Sequence, residues 1–142
     1  MKKLFLMVAV AGFAFQANAQ KISASKVPAA AKTAFAKANP GVKNPVWEKE
    51  NGNFEGNWKE GGMDHSAMFT PEGQFAGSET DISPMKLPKA AREYVTKNLH
   101  AAIKEASLNK DAQGTITFEA DLKGKAYIFD EKGNFIKTEK GD

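Results

Sequence analysis

A short stretch that occurs twice constrains the fold of this chain more than any other feature of its sequence. Residues 27–32 (VPAAAK) return sixty positions later as residues 87–92 (LPKAAR). The same offset relates residues 69–75 (FTPEGQF) to residues 129–135 (FDEKGNF). Two landmarks that share one offset predict an internal duplication with a repeat of about 60 residues.

Both repeats show the same predicted order of one helix and four short strands. Pro28 and Pro88 can open a helix, because the first helical N–H has no partner within the helix. Strand-like segments then alternate with turn signals such as Asn51-Gly52, which favours a two-residue hairpin. The sequence therefore predicts an α+β fold of two tandem helix-plus-four-stranded antiparallel meander units, with the helices on one face of a joint sheet and an open sheet face on the other. The predicted ranges are a signal peptide at 1–19, a short polar lead at 20–26, unit 1 at 27–82 and unit 2 at 87–142.

The N-terminal segment has the pattern of a secretory signal peptide. Lys2 and Lys3 precede the apolar run of residues 4–15, and the small-x-small sequence of residues 17–19 follows it. The run is shorter than the roughly 20 apolar residues that cross a bilayer. Loss of the two lysines lowers the formal net charge from +3 to +1, which gives no basic surface for nucleic acid. We expect a periplasmic or secreted protein without membrane insertion after cleavage.

The absence of cysteine excludes several kinds of stabilising and functional chemistry. The chain has no cysteine at all, so an exported fold must be stabilised by packing without disulfides. A thiol nucleophile and thiolate metal ligands are excluded for the same reason. A lipid-modified N-terminal cysteine is excluded as well, and we therefore do not expect a lipoprotein.

Alternation along the predicted strands assigns side chains to the two sheet faces. A two-residue turn at Lys123-Gly124 puts Leu122 and Lys125 on one face, which fixes the faces of both neighbouring strands. Leu108 is matched to Trp47 at an offset of 61. Exposed apolar side chains on a polar face are typical of a contact surface, although scattered ones are also common. The open face is predicted to carry the apolar side chains Met68, Ile128 and Ile136 and the polar side chains Glu55, Asn57, Thr117 and Glu119.

No set of residues predicts catalysis, a metal or a cofactor. His65 lies near Met63, Asp64 and Met68, but strand alternation divides these residues between two faces. Residues 130–134 look superficially like a calcium loop, yet the matching turn at residues 70–73 has no Asp and keeps its glycine. We therefore interpret both as turns. Serine nucleophile elbows and phosphate-binding loops are absent from the sequence.

The order and spacing of these motifs carry a family resemblance. A Val/Leu-Pro-x-x-Ala helix start, Trp47 followed by charged strands, and a closing Phe-(Asp/Thr)-x-x-Gly-x-Phe hairpin resemble the PepSY-like group related to beta-lactamase-inhibitory proteins. The resemblance covers residues 27–140. It implies helices packed on an antiparallel sheet, and in the tandem inhibitors a curved eight-stranded surface that grips another protein. Those inhibitors carry disulfides and this chain has none, so no inhibitory residue is transferred.

Two functions follow as hypotheses. The first is an exported, non-enzymatic binding module that contacts an unidentified protein partner through its open face. Inhibition of an envelope or secreted protein is one form that this contact could take. The alternative is a periplasmic protein that binds a small ligand or a metal. An enzyme needs a concave pocket with convergent polar groups, for which the sequence shows no signal. We expect a monomer without cofactors.

Overall fold

A computed structural model describes residues 19–141 of the chain. Residues 1–18 of the predicted signal peptide, and the last residue of the chain, lie outside the described residues. None of the helices within residues 19–141 combines the length and the apolar character that a membrane span requires.

Nine strands and two α-helices follow each other along the described chain. Two single-turn 3-10 helices, Ala24–Lys26 and Pro84–Lys86, precede the α-helices. The α-helices are α1 (Ala29–Ala38) and α2 (Lys89–Leu99). The strands are β1 (Gln20–Ile22), β2 (Val46–Glu50), β3 (Asn53–Glu60), β4 (Met63–Phe69), β5 (Phe75–Ile82), β6 (Glu105–Asp111), β7 (Ile116–Leu122), β8 (Lys125–Asp130) and β9 (Phe135–Lys140).

The predicted fold class is wrong. The nine strands form one open antiparallel sheet in chain order, and the two helices are short, so the described chain is mostly β rather than two helix-plus-four-strand units. Residues 20–22, predicted as part of a polar lead, form β1 and pair with β2 from Gln20↔Lys49 to Ile22↔Trp47. By its internal contacts the chain divides into two compact units, the first ending at Ser78 and the second beginning at Glu79.

In the first unit, the core lies between α1 and one face of the strands. Phe35 of α1 is buried at its centre and meets three aromatic rings edge-on. Its ring centroid lies 5.1 Å from that of Trp47, 5.5 Å from that of Trp58 and 6.2 Å from that of Phe69. Gly56 of β3 makes room for this ring, because a Cβ atom there would lie 2.5 Å from Phe35 Cε2.

In the second unit, α2 covers its strands with smaller side chains. Val95 and Ala91 are buried against Ala120 and Phe129 of the sheet. Tyr94 of α2 stacks on Phe135 with a centroid distance of 4.7 Å.

Cross-strand pairs reveal which residues of the two repeats are equivalent. Gly56 pairs with Ala67, and Ala120 pairs with Tyr127, which is sixty positions after Ala67. Trp47 pairs with Gly56, whereas Ala106 pairs with Ala120. Trp47 therefore corresponds to Ala106, and the predicted match with Leu108 is wrong. The volumes compensate: large Phe35 and Trp47 surround a glycine in one unit, and smaller Val95 and Ala106 surround an alanine in the other.

The two repeated sequence landmarks touch each other in each unit. The turn after β8 is closed by hydrogen bonds that Gly133 N and Asp130 N donate to Asp130 O and Asn134 O, both at 2.9 Å. The turn after β4 has the same two bonds. The Asp130 carboxylate accepts from Lys132 N at 2.9 Å and Asn134 N at 2.8 Å, so the interpretation of this segment as a turn is confirmed.

Glycine in these turns serves both the backbone angle and the helix contact. Gly73 and Gly133 have φ values of +84° and +86°. A Cβ atom at Gly73 would lie 2.7 Å from Ala30 O of α1, and one at Gly133 would lie 2.8 Å from Ala91 N of α2. The helix start and the Gly-containing turn are repeated together because one packs against the other.

We expect Gly133→Ala to destabilise the chain more than Gly114→Ala. Gly114 occupies the same kind of turn at φ +85°, but nothing lies within 4 Å of a Cβ atom built there. Both changes cost about 1 kcal/mol for the left-handed backbone, and the clash with α2 adds roughly 1–3 kcal/mol at position 133. Urea unfolding of both variants measures the difference, and equal losses would contradict the helix contact.

Candidate functional site

The candidate site is the distal face of the sheet, meaning the face opposite the helix of each unit. In the first unit, the strand register aligns Lys21, Glu48, Glu55 and Met68 in one row across β1 to β4. Their neighbours in sequence, including Trp47 and the other core residues, point to α1. Because side chains alternate along a strand, the row lies on the distal face.

In the second unit, the register aligns a similar row on the distal face. Ser107, Glu119, Ile128 and Lys137 lie side by side from β6 to β9. Phe129, the neighbour of Ile128, belongs to the core beneath α2. The pairs Glu55–Met68 and Glu119–Ile128 therefore occupy equivalent positions, so each repeat places an acidic and an apolar side chain together.

The structure puts the predicted contact residues of β3, β4, β7 and β8 on the predicted face, but two of them are less exposed than expected. Alternation puts Glu55, Asn57, Met68, Thr117, Glu119 and Ile128 on the distal face, as predicted. Met68 and Ile128 were expected to be exposed, but they are 3% and 4% exposed, and this expectation is wrong. Met68 packs with Ala76 of β5. The role of all these residues in binding stays a prediction.

Ile136 lies at an irregularity of the sheet. Phe135 pairs with Phe129 and Lys137 pairs with Ile128, so Ile136 is the extra residue of a bulge in β9. Bulges bend a strand and redirect its side chains. Ile136 is 50% exposed, which agrees with the expectation of an accessible apolar side chain.

The sequence reasoning missed a cluster of three carboxylates on the distal face of the first unit. Glu48 and Glu50 lie two residues apart on β2, and Glu55 lies directly opposite Glu48 on β3. Glu50 is 2% exposed and Glu55 is 1% exposed. Glu50 Oε2 and Glu55 Oε1 are buried and have no hydrogen-bond partner among residues 19–141. Burying a charged oxygen without a donor is costly, which marks this cluster as a candidate site.

The cluster changes the acidity of its members. Loss of hydration on burial, followed by the charges of Glu55 and Glu48, raises the pKa of Glu50 to about 7. Burial also raises the pKa of Glu55, while hydrogen bonds from Ser66 and Asn57 act in the opposite direction. Glu50 is therefore an acid that changes its charge near neutral pH.

A signal for the cluster existed in the sequence. Asn51-Gly52 predicts a two-residue turn, which pairs Glu50 with Asn53 and therefore Glu48 with Glu55. Like charges directly opposite each other are destabilising in a sheet, which makes such a pair worth noting. The alternating sequence pattern could not predict that Glu50 and Glu55 are buried, because polar residues in an alternating strand normally face water.

Polar contacts also join the distal-face residues of the second unit. Asn109 Nδ2 donates to Glu119 Oε2 at 3.3 Å. Lys137 and Glu139 form an ion pair with an N–O distance of 2.5 Å.

In the first unit, His65 lies on the helix-covered face of the sheet and stacks on Trp58, with 5.2 Å between the ring centroids. Within residues 19–141, no three acidic, histidine or cysteine side chains converge where a metal ion could bind.

Solved structures share this fold. A crystal structure of a protein assigned to the periplasm of Bacteroides eggerthii superposes with a TM-score of 0.67 at 15% identity, covering 80% of this chain and 88% of the other. A DUF2874 family protein from Bacteroides uniformis gives 0.68 at 15% identity, with the same coverage. A BLIP-like protein from Bacteroides fragilis, named for its likeness to beta-lactamase-inhibitory proteins, gives 0.63 at 16% identity, covering 81% and 89%.

These similarities establish the fold. The BLIP-like part of the resemblance drawn from the sequence is supported at the level of fold. No protein-family model matches the chain, and the PepSY-like part is not confirmed. No curated protein sequence matches it either.

We expect the stability of the mature chain to fall between pH 4.5 and pH 7. The folded state holds the Glu50 proton more tightly than the unfolded chain, because its pKa is raised from 4.5 to about 7. The stabilisation is complete below pH 4.5 and is lost as the pH rises through about 7. At about 1.4 kcal/mol per unit of pKa difference, the loss is at most about 3 kcal/mol.

Urea unfolding at pH 5 and pH 8 measures this change. Glu50→Gln removes the titrating group and should lose most of the pH dependence. Glu72→Gln, in an exposed turn, is the matched control and should keep it. An unchanged slope in Glu50→Gln would contradict the burial of Glu50.

Proposed function

We propose that this chain is an exported, non-enzymatic binding module that contacts another protein through the distal face of its sheet. In the first unit the contact residues are Glu55, Asn57 and Met68. In the second unit they are Thr117, Glu119 and Ile128, with Ile136 at the exposed bulge. The observation that carries the proposal is the repeated acid–apolar pair. Glu55–Met68 and Glu119–Ile128 lie at equivalent register positions of two repeats that differ elsewhere.

The distal face has the composition of a recognition surface. The buried side chains of α1 and α2 pack against the sheet face opposite the distal face. The packing of the helices therefore does not require the acids of the distal face. Two buried carboxylates there carry oxygens without donors. Polar groups that are costly for the free protein can be satisfied by a partner that supplies complementary donors.

The fold of the neighbours supports the same proposal. One solved structure is named for its likeness to beta-lactamase-inhibitory proteins, and another is assigned to the periplasm. The N-terminal signal pattern supports export of this chain as a periplasmic or secreted protein. Binding of an envelope or secreted protein, including its inhibition, fits that location.

We expect the double variant Thr117→Arg/Glu119→Lys to lose partner binding. Both side chains lie on the distal face of β7 and are partly exposed, so reversing the local charge should repel a complementary partner. The measurement is quantitative capture of partners from an envelope extract by the mature chain and by the variant. A loss of at least about tenfold is expected, since buried charged contacts contribute 2 kcal/mol or more.

Two further variants sharpen the comparison. Glu93→Lys/Thr96→Arg makes the same two kinds of change on the exposed side of α2 and should leave capture unchanged. Ile136→Asp tests the bulge at a side chain that is 50% exposed. Capture that survives the distal-face change, or that is lost only with the helix variant, would overturn the proposal.

A further inference from the structure

The carboxylate cluster of β2 and β3 has the form of a site for a cation. Glu48 and Glu55 are direct cross-strand partners, whose Cβ atoms lie about 5 Å apart in such pairs. Glu50 is the diagonal neighbour of Glu55, at about 7–8 Å. The two most buried members each hold one oxygen that lacks a donor among the described residues. All three lie in the first unit.

Few positively charged side chains lie next to the three carboxylates. On β1, Lys21 is the cross-strand partner of Glu48 and is exposed. On β3 and β4, the neighbours Asn57, Ser66 and Met68 carry no charge, and the next charged pair is Lys59 with Asp64 at 3.1 Å. Ser66 and Asn57 hydrogen-bond to Glu55, yet Glu55 Oε1 and Glu50 Oε2 stay without donors.

The spacing of the acids favours an extended donor over a single ion. The three carboxylates do not converge on one point within the described chain. A guanidinium group presents five N–H donors in a planar fork and is weakly hydrated, so it can reach two separated carboxylates and tolerates burial. A lysine ammonium is a compact and strongly hydrated point charge, which suits this arrangement less well.

We propose that the cluster of Glu48, Glu50 and Glu55 is a recognition site for an arginine side chain of the partner protein. The guanidinium meets Glu48 first, because Glu48 is the partly exposed member of the cluster. It donates to Glu50 Oε2 and Glu55 Oε1 once these buried oxygens turn towards it. This inference rests on the proposed function, because the arginine is carried by the protein that contacts the distal face. It adds the chemistry that the partner must present.

The ionisation of Glu50 makes the recognition dependent on pH. Its raised pKa leaves it largely protonated in mildly acidic solution and charged above neutral pH. A bound guanidinium stabilises the charged form, so it should lower the pKa of Glu50 on binding. Binding should therefore be stronger at pH 8 than at pH 5.5.

The test uses three capped tripeptides, acetyl-Gly-Xaa-Gly-amide, with arginine, lysine or citrulline at Xaa. Citrulline keeps the shape of arginine without its charge. Each peptide is titrated into the isotope-labelled mature chain at pH 8 and pH 5.5, and backbone amide shifts are followed by NMR. We expect the arginine peptide to shift residues 48–57 in a saturable way at pH 8, with weaker binding of the lysine peptide and none of the citrulline peptide.

Variants assign the binding to the cluster. Glu50→Gln and Glu55→Gln should each weaken binding of the arginine peptide about tenfold, because each removes one charge-assisted hydrogen bond. Glu72→Gln, in the exposed turn after β4, should bind like the parent chain. The single Gln variants keep the side-chain shape, and their amide spectra report whether the fold is retained.

The results separate this inference from the function on which it rests. Equal shifts with citrulline, unchanged binding in both Gln variants, or no shift at residues 48–57 overturns the arginine site. If the peptide result fails while Thr117→Arg/Glu119→Lys still abolishes partner capture, the binding module stands and only the arginine site falls. If the peptides bind as expected but the distal-face variants leave capture unchanged, the proposed contact face is the part that falls.

Discussion

The contact between a helix start and a glycine-containing turn holds each unit together. Gly73 packs against the backbone of Ala30 in α1, and Gly133 packs against Ala91 in α2. Each contact anchors the helix over one end of its strands, so that Phe35 or Val95 is placed above the sheet. A slip of one residue would exchange the two faces of a strand, so this placement also specifies the register.

The placement of the helices determines where polar chemistry can occur. Phe35 fills the space above Gly56, and every second residue of β3 must then point to the other side. Glu55 is one of these residues, and its carboxyl group is nearly inaccessible to solvent. The cost of burying it is compensated only in part by Ser66 and Asn57. A partner that supplies the missing hydrogen-bond donors would remove the remaining cost of burying Glu55, and this gain would contribute to the binding free energy.

The local pattern of the sequence predicted the turns and the faces, because both depend on neighbouring residues. Asn51-Gly52 and the turns at Gly73 and Gly133 formed as expected, and Glu55 and Thr117 lie on the predicted face. The fold class was wrong because β1 has only three residues, and its pairing with β2 depends on a distant partner. The burial of Glu50 and Met68 was missed for the same reason, since periodicity assigns a face and not the surroundings of that face.

The distal face of the first unit holds two buried acids, Glu50 and Glu55. A carboxyl ¹³C NMR titration of the mature chain measures the acidity of Glu50 directly. A midpoint near pH 7 is the result that burial beside Glu55 and Glu48 predicts. A midpoint near 4.5, the value of an ordinary glutamate, would show a solvated side chain and contradict the burial of Glu50 beside Glu55.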